Sequence, residues 1–386
     1  VILAAGEGKR LRPFTETIPK VMLPVANKPI IHHVVDALVA NGITEIIIVA
    51  GYKKESIMQH FKTYDQAKIT FVTQDKQLGT AHALLQAENH IDNSFLLLSG
   101  DNIIGEEGIK KVKDNTSDYV MLIKEHIHPS KYGVVKLKNN YVTNIVKEPK
   151  NNVSKFISTG IYKFPVSIFE YIKTFTGIGN YSLFSVINQL LTEEIQFSVE
   201  KSEVWLDVVY PWDLLSVNDI QLRKTQSIKN GIIEKNVTIK GPVIIGEQTQ
   251  IHAGSYIVGP VVIGKHCEIG PHTCIFPSTT IGNNSTIKAF TELRNSVIMD
   301  DVSIGSNSFI DHSVIGKGSS IQNGFSSLVG TAKKHNHNEC ITIKEIGALI
   351  AEDSMIQSHV VTHPGVVIGR RCLDRKSTRL NSSHYS

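Results

Sequence analysis

Apolar residues follow two different rhythms along this chain. In the first, short apolar runs alternate with amphipathic stretches. From Pro29 to Asn41, residues Ile30, Ile31, Val34, Val35, Leu38 and Val39 fall on one helical stripe, and Gly42 stops it. A strand at Glu45 to Ala50 follows at once. Phe95-Leu96-Leu97-Leu98 is a continuous apolar run, as expected of a strand buried on both faces of a parallel sheet. The alternation predicts an α/β domain with a Rossmann-like, mostly parallel sheet. Near residue 230 the period becomes six. Ile233, Ile239, Ile245, Ile251, Ile257, Ile263, Ile269, Ile275, Ile281, Ile287 and Leu293 keep one register. After a one-residue slip come Ile298, Ile304 and Ile310, and later Ile350, Ile356 and Ile368. Six is neither a helical nor an ordinary strand period. It predicts a triangular hexapeptide solenoid, a left-handed parallel β-helix whose aliphatics point inward, three hexapeptides to a turn. Leu328 to Ile343 breaks the repeat and is expected to protrude as a loop carrying His335 and His337, both read as solvated.

These rhythms set the expected organisation: an α/β domain over residues 1–225, a linker over 226–231, and the β-helix over 232–373. Residues 374–386 read like a translated sequencing adapter and are set aside as a non-native tail. The chain also opens on Val1-Ile2-Leu3 without an initiator Met, so both ends are expected to be incomplete. The net charge of +4 is small and not gathered into runs, which argues against nucleic-acid binding. No apolar run is long enough to span a membrane, and no signal peptide is seen. Cys267, Cys274, Cys340 and Cys372 lack C-x-x-C spacing and read as reduced thiols of a cytoplasmic protein.

The opening strand runs into Leu3-Ala4-Ala5-Gly6-Glu7-Gly8-Lys9-Arg10-Leu11-Arg12-Pro13. Glycines after a buried strand let the backbone approach a phosphate with its N–H groups aimed at the anion. Arg10 and Arg12 add charge-assisted donors. Leu11 stands where a G-x-G-x-x-G dinucleotide turn would need its third glycine, so a triphosphate is favoured over a dinucleotide. Ser99-Gly100-Asp101-Asn102 closes a buried strand, and a carboxylate there lies at the usual ligand crevice of such a sheet. A second carboxylate, Asp207, follows much later in Trp205-Leu206-Asp207-Val208.

Leu3 to Leu11, then Pro19-Lys20 and Leu23-Pro24-Val25, resemble the signature of the sugar-phosphate nucleotidyltransferases. Five or six motifs stand in family order across residues 1 to 225. The resemblance implies that Leu3, Ala4, Ala5, Gly6 and Gly8 cradle the nucleotide, that Arg10 holds the triphosphate and assists departure of pyrophosphate, and that Lys20 neutralises phosphate charge. Lys9 stands where the family often has Thr. Gln77 to Ala83 resembles the second nucleotide motif, with Gly79 and Thr80 at its centre and Gln74 where uridylyltransferases place a base-reading glutamine. A primary amide can pair with a pyrimidine through one donor and one acceptor. Asp101 and Asp207 would hold Mg²⁺, for which two carboxylates with phosphate oxygens and water suffice. Gly133, Glu148, Thr159 and Gly160 resemble the sugar side. Pro149 and Lys150 are exchanged relative to the usual Glu-Lys-Pro, and Ser158 replaces an Asn common in N-acetylglucosamine enzymes, so the sugar stays open between glucose-1-phosphate and N-acetylglucosamine-1-phosphate.

The reaction implied is transfer of a nucleotidyl group from UTP or dTTP to a hexose-1-phosphate, and the resemblance also implies a homotrimer, since hexapeptide β-helices of this family commonly pack about a threefold axis. Two alternatives stand beside it. One is a nucleotide-sugar-binding regulator without turnover, against which the intact Gly6, Arg10, Lys20, Asp101 and Asp207 set argues. The other resembles the bifunctional N-acetylglucosamine-1-phosphate uridylyltransferases, whose solenoid also transfers acetyl groups with a histidine base. Laid along that region, Ser306 falls at the base position and His312 lies six residues away. The solenoid is therefore expected to organise the oligomer or bind an effector rather than acetylate efficiently.

Overall fold

The computed structural model describes residues 1–147, 149, 154–336 and 339–374. The chain divides into two compact units, one of Val1–Gly8, Thr17–Met22 and Pro29–Asp207, the other of Lys9–Glu16, Leu23–Lys28 and Val208–Ser386.

Among the described residues, the first unit is built on a nine-stranded sheet. Its strands are β1 (Ile2–Ala4), β2 (Glu45–Ala50), β3 (Lys68–Thr73), β4 (Phe95–Ser99), β6 (Val120–Glu125), β7 (Gly133–Lys138), β8 (Tyr141–Lys147), β9 (Phe156–Phe164) and β10 (Ser198–Lys201), with β5 (Asn102–Ile104) and β11 (Trp205–Asp207) forming a separate ribbon. The order is β3-β2-β1-β4-β9-β6-β10-β8-β7. Strands β3, β2, β1 and β4 are parallel, whereas β9 runs antiparallel to both β4 and β6. Helix α1 (Ile30–Ala40) buries Ile30, Ile31, Val34, Val35 and Leu38, as the apolar stripe requires. Gly42, at φ +75°, turns the chain toward β2, a conformation that suits glycine. Apolar residues on each face of the sheet form separate cores, one gathered around Phe164, Phe169 and Phe197, the other around Ile2, Val34 and Ile48.

The second unit is the β-helix. Three parallel sheets stack coil on coil, and the inward aliphatics align in columns. One column pairs Ile233, Ile251, Ile269, Ile287, Ile304, Ile321 and Ile356 in register. These stacked side chains give one continuous apolar core, with Ile269, Ile287 and Ile304 fully buried. The slip after Leu293 is absorbed at a corner: Thr280 still pairs with Val297 and Ile281 with Ile298, so no inward side chain changes face. Glycine at the corners follows from the stacking itself. A Cβ on Gly282 would lie 2.5 Å from the Asp300 nitrogen of the next coil. The expected loop is instead an antiparallel ribbon of Gly330–Asn336 and Glu339–Ile346, extending three residues past the expected end. Its alternation of Ala332, Lys334, Ile341 and Ile343 suits a strand pair, and the solenoid resumes beyond it with Val314 paired to Leu349. His337 lies outside the described residues.

The helix Asp213–Leu222 also belongs to this unit. The Asp213 carboxylate accepts from the N–H groups of Val209 and Tyr210 at 2.9 and 2.8 Å, so Asp207 is not needed as a cap.

Candidate functional site

The tight turn after β4 carries Asp101, and the β5–β11 ribbon pairs Asn102 with Asp207. This antiparallel register sets two carboxylates side by side that are remote in sequence. Lys20 lies between them. Its ammonium donates to Asp101 Oδ2 at 2.7 Å and to Asp207 Oδ1 at 2.8 Å. Ser99 Oγ donates to the other Asp101 oxygen at 2.5 Å. Side-chain exposures of 13, 31 and 12% for Lys20, Asp101 and Asp207 leave the cluster little water, so the charges need one another. Burial by itself would lower the Lys20 pKa, but the two carboxylates outweigh it and hold it above its ordinary value. Burial would raise that of Asp101, yet the Lys20 charge and the Ser99 bond keep it below the carboxylate range.

The two aspartates open onto a cavity of about 290 Å³. Of the residues singled out from the sequence, Leu3, Thr80, Asp101, Gly133, Thr159, Gly160 and Asp207 line it. Gly133 opens β7 against the Phe184 ring. The Thr159 hydroxyl donates to the Leu122 carbonyl at 2.7 Å. Its carbonyl in turn accepts from Trp205 Nε1 at 3.0 Å, tying β9 to β11. Gly160 sits at φ +80° beside Ser99. Ser158 Oγ and the buried Tyr162 hydroxyl share a 2.6 Å hydrogen bond. Glu148 lies outside the described residues.

The nucleotide motifs are placed as follows. Ala4 and Ala5 are buried, and a Cβ on Gly6 would meet nothing within 4 Å, so open space rather than protein lies over that peptide. Gly8 takes φ +72°. Arg10 is exposed in the single 3-10 turn Lys9–Leu11, which is counted with the second unit. Gly79 is required by close approach, since a Cβ there would fall 2.4 Å from the Tyr181 carbonyl. Gln74 is not an exposed loop amide. It is 3% exposed, and its Nε2 donates to the Gly79 carbonyl at 3.1 Å and lies 2.9 Å from His82 Nδ1. The donor expected to read a base is therefore engaged in holding the motif together in this conformation.

Sequence reasoning missed Lys131, Lys147 and Phe184, which also line the cavity. Phe184 sits on the helix Leu183–Thr192, whose amphipathic pattern is that of any core helix, so no local signal marks it. Ser99 was adjacent to a recognised motif but was not given a role.

The donor chemistry fits a hard divalent cation. Two carboxylates meet at one point beside a cavity, and among the described residues no cluster of three or more His, Cys, Asp or Glu forms a closed cage. Such a cation would complete its shell with water and substrate phosphates.

The family profile described as "Nucleotidyl transferase" matches residues 1–224, and one described as "GMPPB C-terminal domain" matches residues 257–331. The chain belongs to the nucleotidyl transferase family of enzymes. It is 37% identical to "Bifunctional protein GlmU" of Methanococcus aeolicus, over 96% of this chain and 91% of that protein. It is 33% identical to the "Bifunctional sugar-1-phosphate nucleotidylyltransferase/acetyltransferase" of Sulfurisphaera tokodaii, over 95% and 93%. The "UTP--glucose-1-phosphate uridylyltransferase AglF" of Haloferax volcanii is 37% identical over 55% of this chain and 92% of its own length. Among solved structures, a putative glucose-1-phosphate thymidylyltransferase from Bacillus anthracis, in complex with a sucrose, matches with TM-score 0.54 and 26% identity, covering 59% of this chain and 96% of that one. No helix among the described residues is long and apolar enough to cross a membrane.

Proposed function

We propose that this protein transfers a nucleotidyl group from UTP or dTTP to a hexose-1-phosphate, releasing pyrophosphate. The meeting of Asp101 and Asp207 at the mouth of a cavity lined by Gly133, Thr159 and Gly160 carries this reading. The sugar-1-phosphate seats in the cavity. One of its phosphate oxygens attacks the α-phosphorus of the triphosphate in line. A new P–O bond forms as the bond to the β-phosphate oxygen breaks, and the electron pair leaves with pyrophosphate. Positioning and charge stabilisation supply the catalysis, with no covalent intermediate. Arg10 receives charge that develops on the departing pyrophosphate, and Lys20 offsets charge on the transferred phosphate. Mg²⁺ held by Asp101 and Asp207 would supply further neutralisation of that phosphate.

The pyrimidine preference is supported by the printed names of two relatives, a uridylyltransferase and a putative thymidylyltransferase. A panel of four triphosphates against glucose-1-phosphate and N-acetylglucosamine-1-phosphate, read by pyrophosphate release, tests it. UTP or dTTP is expected to outperform ATP and GTP; a purine preference overturns the base assignment, and no release with any pair overturns the reading.

A second reading is acetyl transfer on the solenoid. The Sulfurisphaera tokodaii relative bears that activity in its name, and His312 is held by an adjacent carboxylate, with Nδ1 2.6 Å from Asp311 Oδ1. The bond to Asp311 raises the His312 pKa, so a base role would need pH above its ordinary value near 6.5. With glucosamine-1-phosphate and acetyl-CoA, thiol release that climbs with pH and vanishes in His312→Ala would establish it. Absence of release would leave the solenoid as the organiser or effector-binding domain expected from the register.

We also propose a homotrimer, on the ground of the family resemblance, in which hexapeptide β-helices commonly pack about a threefold axis in closed symmetry. Light scattering is expected to give three times the protomer mass; a monomer at micromolar concentration contradicts it.

A further inference from the structure

Strand β9 does not run regularly past the cavity. Its pairing with β6 jumps from Ser158 opposite Ile123 to Ile161 opposite Leu122, so three steps along β9 match one step along β6. Thr159 and Gly160 form the bulge, and Gly160 takes φ +80° to make it. The bulge is pinned from two sides, by the Thr159 hydroxyl on the Leu122 carbonyl and by Trp205 Nε1 on the Thr159 carbonyl. Residues four apart in a regular strand stand roughly 13 Å from one another. Here Ser158 and Tyr162 flank the bulge, and their hydroxyl oxygens meet at 2.6 Å.

Both residues line the cavity, and both are largely closed off from water, at 6 and 2% exposure. Two hydroxyls bring two protons. One is used in the bond between them, whichever oxygen donates. The other has no acceptor among the described residues. The further contact to the pair is the Gly160 N–H, itself a donor, 3.5 Å from Ser158 Oγ. Burial pushes the Tyr162 phenol up to a pKa of about 12, so its proton stays in place at neutral pH. A buried O–H left without an acceptor carries its full desolvation cost. The cavity is the place from which an acceptor can come. An uncharged donor suits an uncharged oxygen better than a phosphate, which draws charged donors.

We infer that the Ser158–Tyr162 pair is a specificity element for the sugar: it gives its unspent O–H to one hydroxyl oxygen of the hexose seated in the cavity. This rests on the proposed function. Every residue it uses belongs to the first compact unit, and it asks nothing of the nucleotide side. The bulge has the role of folding Ser158 back onto Tyr162.

The test uses the full chain, with UTP or dTTP at saturation and pyrophosphate release as the readout. The sugar is whichever of glucose-1-phosphate and N-acetylglucosamine-1-phosphate the parent accepts. Either single change leaves a hydroxyl that can still donate. The informative protein is therefore Ser158→Ala/Tyr162→Phe, which removes both protons and keeps the ring that stacks on Phe164. Ser158→Val/Tyr162→Phe, which fills the vacated space, serves if the alanine variant melts early. KM for the sugar phosphate is expected to rise roughly tenfold, the scale of one hydrogen bond to a buried donor, with kcat and the KM for the triphosphate within about twofold of the parent. Monodeoxy derivatives of the same sugar phosphate, one for each free hydroxyl, then locate the contact. One of them should lose roughly tenfold in kcat/KM with the parent and almost nothing with the double variant, whose donor is already gone. A folded double variant with an unchanged sugar-phosphate KM overturns the inference and leaves the function standing. So does an equal rise in KM for the triphosphate, or a set of deoxy penalties that is the same in both proteins, since either marks a merely structural pair. If the parent turns over neither sugar phosphate, the proposed function falls, and the inference with it.

Discussion

Asp101→Asn and Asp207→Asn are each expected to lose at least about a hundredfold in turnover, the scale of removing one charge-stabilising group at a reacting phosphate. The substitution keeps the shape of the side chain and removes its charge. The register of Asn102 against Asp207 is made by backbone bonds, so the β5–β11 ribbon should survive either change. The loss should therefore appear in the rate rather than the melting temperature. Pyrophosphate release at saturating substrates, measured with each variant over a range of Mg²⁺, is the check. Near-normal Mg²⁺-dependent turnover in either variant would sink the assignment of both carboxylates to one metal.

Lys20→Met is expected to cost a similar factor in turnover, and to do something the aspartate variants cannot. Lys20 sits 2.7 and 2.8 Å from the two carboxylates. Its ammonium lies between them, so a divalent cation held by the same two carboxylates would compete with it. Methionine has comparable length without the charge. The variant should bind Mn²⁺ more tightly than the parent in the absence of nucleotide, as read from the free Mn²⁺ signal in electron paramagnetic resonance. Equal Mn²⁺ binding would show that Lys20 does not share the cation's position. A rate unchanged by the substitution would remove Lys20 from the catalytic set.

The site was legible in parts of very different quality. Asp101 could be read locally because a carboxylate at the end of a buried apolar run has few structural reasons to be there. Asp207 was reachable only through resemblance, since nothing around Trp205 to Val208 says what it faces. Gln74 shows the limit of motif spacing. Its offset from Gly79 was read as a contact with a base, but the same offset lets its amide reach back to the Gly79 carbonyl. Thr159 is similar: the motif located it at the cavity, while the direction of its hydroxyl depended on Leu122, far away in sequence.

By itself the sequence determined the repeating parts. A period of six with an inward aliphatic needs no distant information, because each coil buries its side chains against an identical neighbour. The single-residue slip and the inserted ribbon were likewise visible as interruptions of a rule. The helical stripe from Ile30 to Leu38 was equally secure, since one face of a helix must find apolar cover. Only the tertiary structure decided what non-repeating pairs do. Lys20, 81 and 187 residues from its two partners, is a signature lysine with no visible carboxylate partner in sequence and the counter-charge of a part-buried carboxylate pair in space. Asn218 reads as a weak helix residue until Ala26 and Ser278 are brought to it. The reason is physical: hydrophobic patterning is a sum over many similar contacts and leaves a periodic trace, whereas a hydrogen bond or ion pair is a single meeting that leaves none.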